Sequence, residues 1–183
     1  MRQQNNKLEV WLRGSLDDIP VLLQPVAHAL LQAREEISDL LADLPQELLW
    51  EKPAGLASPA FHLQHISGVL NRLFTYAEGN QLNKDQLLLL QSEGNPSLGD
   101  NTKIELFENL SRQIDICLDQ LRDTDTNLLT ARREVGRAKL PSTMIGLYVH
   151  AAEHTMRHTG QLLVTIRILT ENINDDTDAT LIT

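Results

Sequence analysis

Three of the six histidines in this chain, His150, His154 and His158, are spaced four residues apart. On an α-helix that spacing stacks side chains on one face, with neighbouring Cβ atoms about 5–6 Å apart. Neutral imidazole is a common metal ligand, so two such rings can share one cation. Three cannot from a single straight helix, because His150 and His158 stand two turns apart, about 12 Å along the axis at 1.5 Å per residue. Either adjacent pair remains available, and a second helix must supply the rest of any site.

The residues around the histidines define the face they occupy. Met144, Leu147, Ala151, Leu162 and Leu169 recur at helical spacing, and His154 and His158 share their track, whereas Glu153, Arg157, Arg167 and Glu171 take the opposite side. An imidazole in an apolar stripe needs a partner, since a buried polar group left unpaired costs about 1–3 kcal/mol. A metal ion satisfies that need, and so does a hydrogen bond within the core. Upstream, Phe61-His62-Leu63-Gln64-His65 places His62 and His65 on or near the inner face of another helix, while His28 stands alone.

The elements that must carry these residues are helical. Periodicity begins near Asp18, where Asp17 or Asp18 can cap and Pro20 is tolerated in a first turn; it runs to Leu44, and Pro25 either kinks this helix or marks its true start. Pro45 to Ser58 reads as a connection. Ser58 as N-cap and Pro59 at the first helical position open a second helix that ends at Gly79-Asn80. Asn83 to Glu93 forms a short extra helix before a loop from Gly94 to Asp100. Thr102-Lys103-Ile104-Glu105 is a capping box that opens a third long helix with Leu106, Leu110, Ile114, Cys117 and Leu121 inward. Thr130 to Leu140 is a basic, glycine-containing connection, and Pro141-Ser142-Thr143 starts the fourth long helix, which is expected to end near Leu169. Residues 1–170 form one domain, and the acidic tail 171–183 is expected to be disordered. Four long helices without a convincing strand predict an all-α four-helix bundle, a fold that builds metal sites from side chains on facing helices.

At 183 residues the chain can bury a core without disulfides, and its one cysteine, Cys117, reads as a core residue. The polar N-terminus and the absence of any long apolar run point to a cytoplasmic protein with no membrane partner. A net charge of −9 and an aromatic content of 4% argue against nucleic-acid binding, because the phosphate backbone would be repelled. The one basic patch, Arg132, Arg133, Arg137 and Lys139, is expected to tie its loop to helix ends through carbonyls and carboxylates, although Arg133, Arg137, Lys139 or Arg72 could hold an anionic substrate group. Leucines left over at Leu87 to Leu90 suggest a homodimer interface.

Taken in order, Leu49-Trp50-Glu51-Lys52-Pro53, Phe61-His62-Leu63-Gln64-His65-Ile66, Val135-Gly136-Arg137-Ala138-Lys139-Leu140-Pro141-Ser142-Thr143 and the segment from His150 to Gln161 resemble the DinB-like (YfiT-like) metalloenzyme family. The resemblance covers nearly the whole chain apart from the tail. It implies an up-down four-helix bundle that holds a divalent metal, zinc or nickel, through one histidine of the second helix and two of the fourth. Carried onto this sequence, the ligands are His65, His154 and His158, with His158, Gly160 and Gln161 matching the family's histidine-glycine-glutamine motif. His62 and His150 fall outside that triad. The wider family includes transferases that use small thiols such as mycothiol or bacillithiol, and the resemblance also points to a dimer.

Three neutral imidazoles leave a fourth position open on a tetrahedral ion, the pattern of a catalytic site. Water bound there becomes a hydroxide source near neutral pH, and a thiol bound there becomes a thiolate. The expected function is therefore that of a metal-dependent hydrolase or small-thiol S-transferase acting on a small molecule. The alternative is a non-catalytic metal-binding or small-ligand-binding bundle with a stress-related role. Glu153, turned about 100° from His154 and four residues before Arg157, reads as half of a surface ion pair rather than a general base.

Overall fold

The computed structural model describes residues 8–96 and 102–180. Four long helices form the body: α1 (Gln24–Ala42), α2 (Pro59–Ala77), α4 (Lys103–Arg122) and α5 (Met144–Thr180), with the short α3 (Lys84–Ser92) between α2 and α4. The expected all-α bundle is what forms. Each long helix packs on two others: α5 lies against α1 and α2, and α4 against the same two from the other side.

Side-chain contacts give the helix directions. His65 meets His154 and Phe74 meets Tyr148, so α2 and α5 are antiparallel. Asn71 meets Gln113 and the Phe74 carbonyl accepts from Gln120, so α2 and α4 run the same way. Lys103, at the start of α4, donates from Nζ to the Leu41 and Leu44 carbonyls at the end of α1. In chain order the four therefore run up, down, down, up, and the segment containing α3 returns the chain along the bundle between α2 and α4.

Local chemistry explains most boundaries. Ser58 Oγ accepts from the Phe61 amide with Pro59 in the first turn, and Thr102 and Glu105 complete their capping box. Asn83 and Gln86 form a second box that opens α3. At the first helix the structure differs from the expected start near Asp18. A 3-10 turn at Val21–Leu23 precedes the α-helix, which begins at Gln24. Pro25 has no amide hydrogen to donate and is accommodated only in a first turn, so it marks the true start.

Two further differences concern the last third of the chain. The expected basic connection is a β-hairpin, β1 (Arg132–Val135) paired antiparallel with β2 (Leu140–Thr143), closed by a turn in which Gly136 has φ +68°. Of the basic patch, Arg133 reaches a helix end as expected, its Nε donating to the Ala77 carbonyl of α2, whereas Arg132 and Lys139 pair with Glu134 within the hairpin itself. Beyond the expected end near Leu169, α5 continues to Thr180, since neither glycine nor proline interrupts residues 161–180. Residues 181–183, the end of the acidic tail, and 97–101, most of the expected loop, lie outside the described residues.

The core is formed by inward stripes such as Leu23, Leu30 and Ile37 of α1, Leu63, Ile66 and Leu70 of α2, and Leu110, Ile114 and Leu121 of α4. In α5 the inward residues are Leu147, Ala151, Thr155, Thr159 and Leu162. His154 and His158, each one position before a buried threonine, are half-buried at the edge of this stripe.

Candidate metal centre

His65, near the N-terminal end of α2, and His154 and His158, one turn apart on α5, each turn a ring nitrogen toward one point. These three nitrogens all lie within 4.8 Å of one another. The antiparallel crossing of α2 and α5 brings together residues far apart in sequence, which supplies the second helix that a pair at i, i+4 requires. His65 Nε2 and His154 Nε2 are 3.0 Å apart. Metal–nitrogen bonds of about 2.0–2.1 Å place ligand nitrogens of a tetrahedral ion about 3.3 Å apart, so this spacing suits a shared cation.

A carboxylate fixes the orientation of His65. Glu93 Oε2 accepts from His65 Nδ1 at 2.7 Å, and Glu93 Oε1 accepts from Arg72 Nη1 at 2.6 Å. An ionised carboxylate can only accept, so His65 Nδ1 carries the proton and, in the neutral ring, Nε2 presents its lone pair to the cluster. Carboxylate–histidine pairs of this kind orient metal ligands and raise their basicity. Burial would by itself push the Glu93 carboxyl up, but the hydrogen bonds from His65 and Arg72 and the charge on Arg72 outweigh it and hold the group below the usual carboxylate range.

Several residues hold Glu93 in place. It follows directly on α3, and the side chain of Gln64 binds the next two residues, accepting from the Gly94 amide and donating to the Asn95 carbonyl. Gln86 donates to Asn71 and Thr75 and so fastens α3 to α2. Gly68 provides the space: a Cβ there would sit 2.4 Å from Glu93 Oε1 and 2.7 Å from Arg72 Nη1. Phe61 stacks on the His65 ring with centroids 5.1 Å apart.

His158 has a different partner. Its Nδ1 lies 3.1 Å from Nδ1 of His62, which is only 3% exposed. One of the two nitrogens must donate. If His158 does, its Nε2 lone pair is free for a metal, and His62 keeps its proton on Nε2. Burial, assisted by His65, lowers His62 to about 4, and burial with the neighbouring His65, His154, His62 and Arg157 lowers His158 to about 4. Burial and neighbouring cations likewise lower His154, against the opposing charge of Glu153. These rings are neutral at pH 7, the form that metal binding demands. Among the described residues, His154 Nδ1 is buried without a hydrogen-bond partner, whereas the other two rings have outer support.

The remaining candidates fall outside the cluster. His150 is exposed and faces Glu153, which also pairs with Arg157 on the surface as the sequence suggests. His28 contacts the Gly14 carbonyl at 3.1 Å. Arg72 binds Glu93, and the basic hairpin joins α5 about 15 Å before His154 at 1.5 Å per residue. Glu93 itself is not legible from the sequence. It is 28 residues from His65, and nothing in its spacing marks it as a partner.

His62 also borders a cavity of about 430 Å³ shared with Leu56, Arg157, Gln161 and Val164. It thus stands between that space and His158. Among the described residues, no helix is long and apolar enough to cross a membrane.

Comparison with known proteins bears on the fold and the family. A solved structure, the conserved protein of locus from Enterococcus faecalis, is similar in fold, with a TM-score of 0.66 and 17% sequence identity over 81% of this chain and 97% of that one. None of the curated proteins matches the sequence. The sequence profile of the DinB superfamily matches residues 29–162, which include α2, the hairpin and the histidines of α5. With that match over most of its length, the chain belongs to the DinB superfamily.

Proposed function

We propose that the protein is a metal-dependent enzyme acting on a small molecule, with His65, His154 and His158 as the ligands of a divalent ion, zinc or nickel. The observation that carries this reading is the hydrogen bond that His65 donates to Glu93 behind a convergent set of three histidines. When bound, such an ion supplies a Lewis acid with a position left for water or a thiol, the chemistry of a hydrolase or of a small-thiol S-transferase. The protein's own contribution is orientation: Glu93 fixes His65, His62 braces His158, and the cavity beside His62 exceeds the roughly 300 Å³ typical of small-molecule sites. A non-catalytic bundle would be favoured by a fourth protein ligand, and His62 is placed to support His158 rather than to join the three clustered nitrogens.

The test has two stages. Elemental analysis of untagged protein should find one divalent ion per chain, and the loaded protein should then turn over a small thiol with an electrophile or hydrolyse an ester or amide. Metal without turnover across both reaction classes would favour the non-catalytic bundle. We place the protein in the cytoplasm, a reading supported by its single buried Cys117. We also infer a homodimer, supported by Leu88 and Leu89, which are 62% and 63% exposed on α3. A monomeric mass in sedimentation at micromolar concentration would remove that inference.

A further inference from the structure

A second cavity, of about 420 Å³, lies between α2, α3 and α4 on the side of Glu93 away from the histidine cluster. We propose that it binds a small amphipathic carboxylate, with the anionic end on Arg72 and the apolar body against Leu63, Leu106 and Ile116.

Arg72 carries the argument. Its side chain is only 11% exposed, and Nη1 donates to Glu93 Oε1. A guanidinium has five N–H donors, and this bond uses one. Arg72 lines this cavity and is not fully buried, so donors that Glu93 does not use are available to a ligand there. A largely desolvated guanidinium with spare donors favours a carboxylate, which it can engage through two parallel bonds.

The rest of the lining narrows the ligand class. The nearby amides are already engaged: Gln113 accepts from Asn71, and Asn71 accepts from Gln86. They form a fixed wall and do not call for a polar ligand body. Leu63, Leu106 and Ile116 supply apolar surface, while Arg112 adds a second cation and donates to Asn109 Oδ1 at 2.9 Å. The lining thus holds two guanidiniums and one carboxylate, Glu93, whose two oxygens already accept from His65 and Arg72. The cavity therefore selects an anion over a cation, and an acid with an apolar chain over inorganic phosphate.

The site is independent of any metal reading, although its ligand would share Arg72 with Glu93. Octanoate and 1-octanol, titrated calorimetrically into the purified protein, test it. The expected result is saturable octanoate binding at one per chain, with octanol weaker by at least about ten-fold for want of the charged contact. Arg72→Gln should weaken octanoate to the level of octanol. Because that substitution also leaves Glu93 short of a partner, Ile116→Trp provides a second arm: Ile116 is 51% exposed at the cavity wall, and a larger side chain should block entry while circular dichroism stays unchanged. Absence of saturable octanoate binding, equal binding of octanol, or undiminished binding to Ile116→Trp would each overturn the proposal.

Discussion

Replacing Glu93 with Gln removes one formal charge and very little volume, yet it disturbs two contacts. The carboxylate accepts from His65 at 2.7 Å and from Arg72 at 2.6 Å. A carboxamide has one accepting oxygen and one donating nitrogen, so it cannot accept from both through separate atoms. If the oxygen stays with Arg72, the amide nitrogen faces His65 Nδ1, which must then present its lone pair there. The proton moves to Nε2, the nitrogen that faces His154. Loss of such an outer partner weakens metal binding by about 10–100-fold, or about 1.4–2.7 kcal/mol. Competition between metal-loaded protein and a chromophoric chelator of known affinity measures this directly. Thermal unfolding of the metal-free variant shows separately whether the fold survives. A folded Glu93→Gln protein that keeps its metal affinity within two-fold of the parent would refute the orienting role of the carboxylate.

Other consequences follow from single positions. Gly68→Ala should change fold stability little, because the up to about 1 kcal/mol that alanine brings to a helix interior is set against displacement of the largely buried Glu93–Arg72 pair. It should nevertheless lower metal affinity as Glu93→Gln does, since the new Cβ displaces the Glu93–Arg72 pair; an unchanged affinity by chelator competition would refute this. Cys117 is buried, and burial pushes its thiol up to about 12 against the lesser pull of Gln113. It should resist a disulfide reagent at pH 8 until the protein unfolds. Its folded value lies above the unfolded one, so its contribution to stability is complete below the unfolded value of about 8.5 and is lost as pH rises toward 12, a trend that urea denaturation across that range can check.

Much of the architecture is written in local signals. Ser58-Pro59 and the Thr102–Glu105 box start helices where the structure starts them, because the groups that satisfy a helix end are only three residues apart. The inward stripe from Met144 through Leu169 is equally plain, since one face of a helix must be apolar to be buried. The hairpin was not legible. Its strands are four residues each, carry charges and a proline, and show no alternation of buried and exposed positions, so pairing and the turn at Gly136 decide their conformation. The site divides along the same line. His154 and His158 announce themselves by spacing on one helix, and His65 enters through the family resemblance, whereas the contacts of Glu93 with His65 and of His62 with His158 arise only when distant segments pack.

The most direct measurement is the metal content of untagged protein carrying single histidine-to-alanine substitutions, determined by elemental analysis at pH 7. The parent should hold one divalent ion per chain. His65→Ala, His154→Ala and His158→Ala should each lose most of it, because two imidazoles hold such an ion far less tightly than three. His150→Ala should retain it, since that ring is exposed and turned to Glu153, and His62→Ala should retain most of it with affinity lowered by the loss of a brace to His158. A His150→Ala protein that lost its metal while His158→Ala kept it would contradict the assignment and place the site one helical turn away.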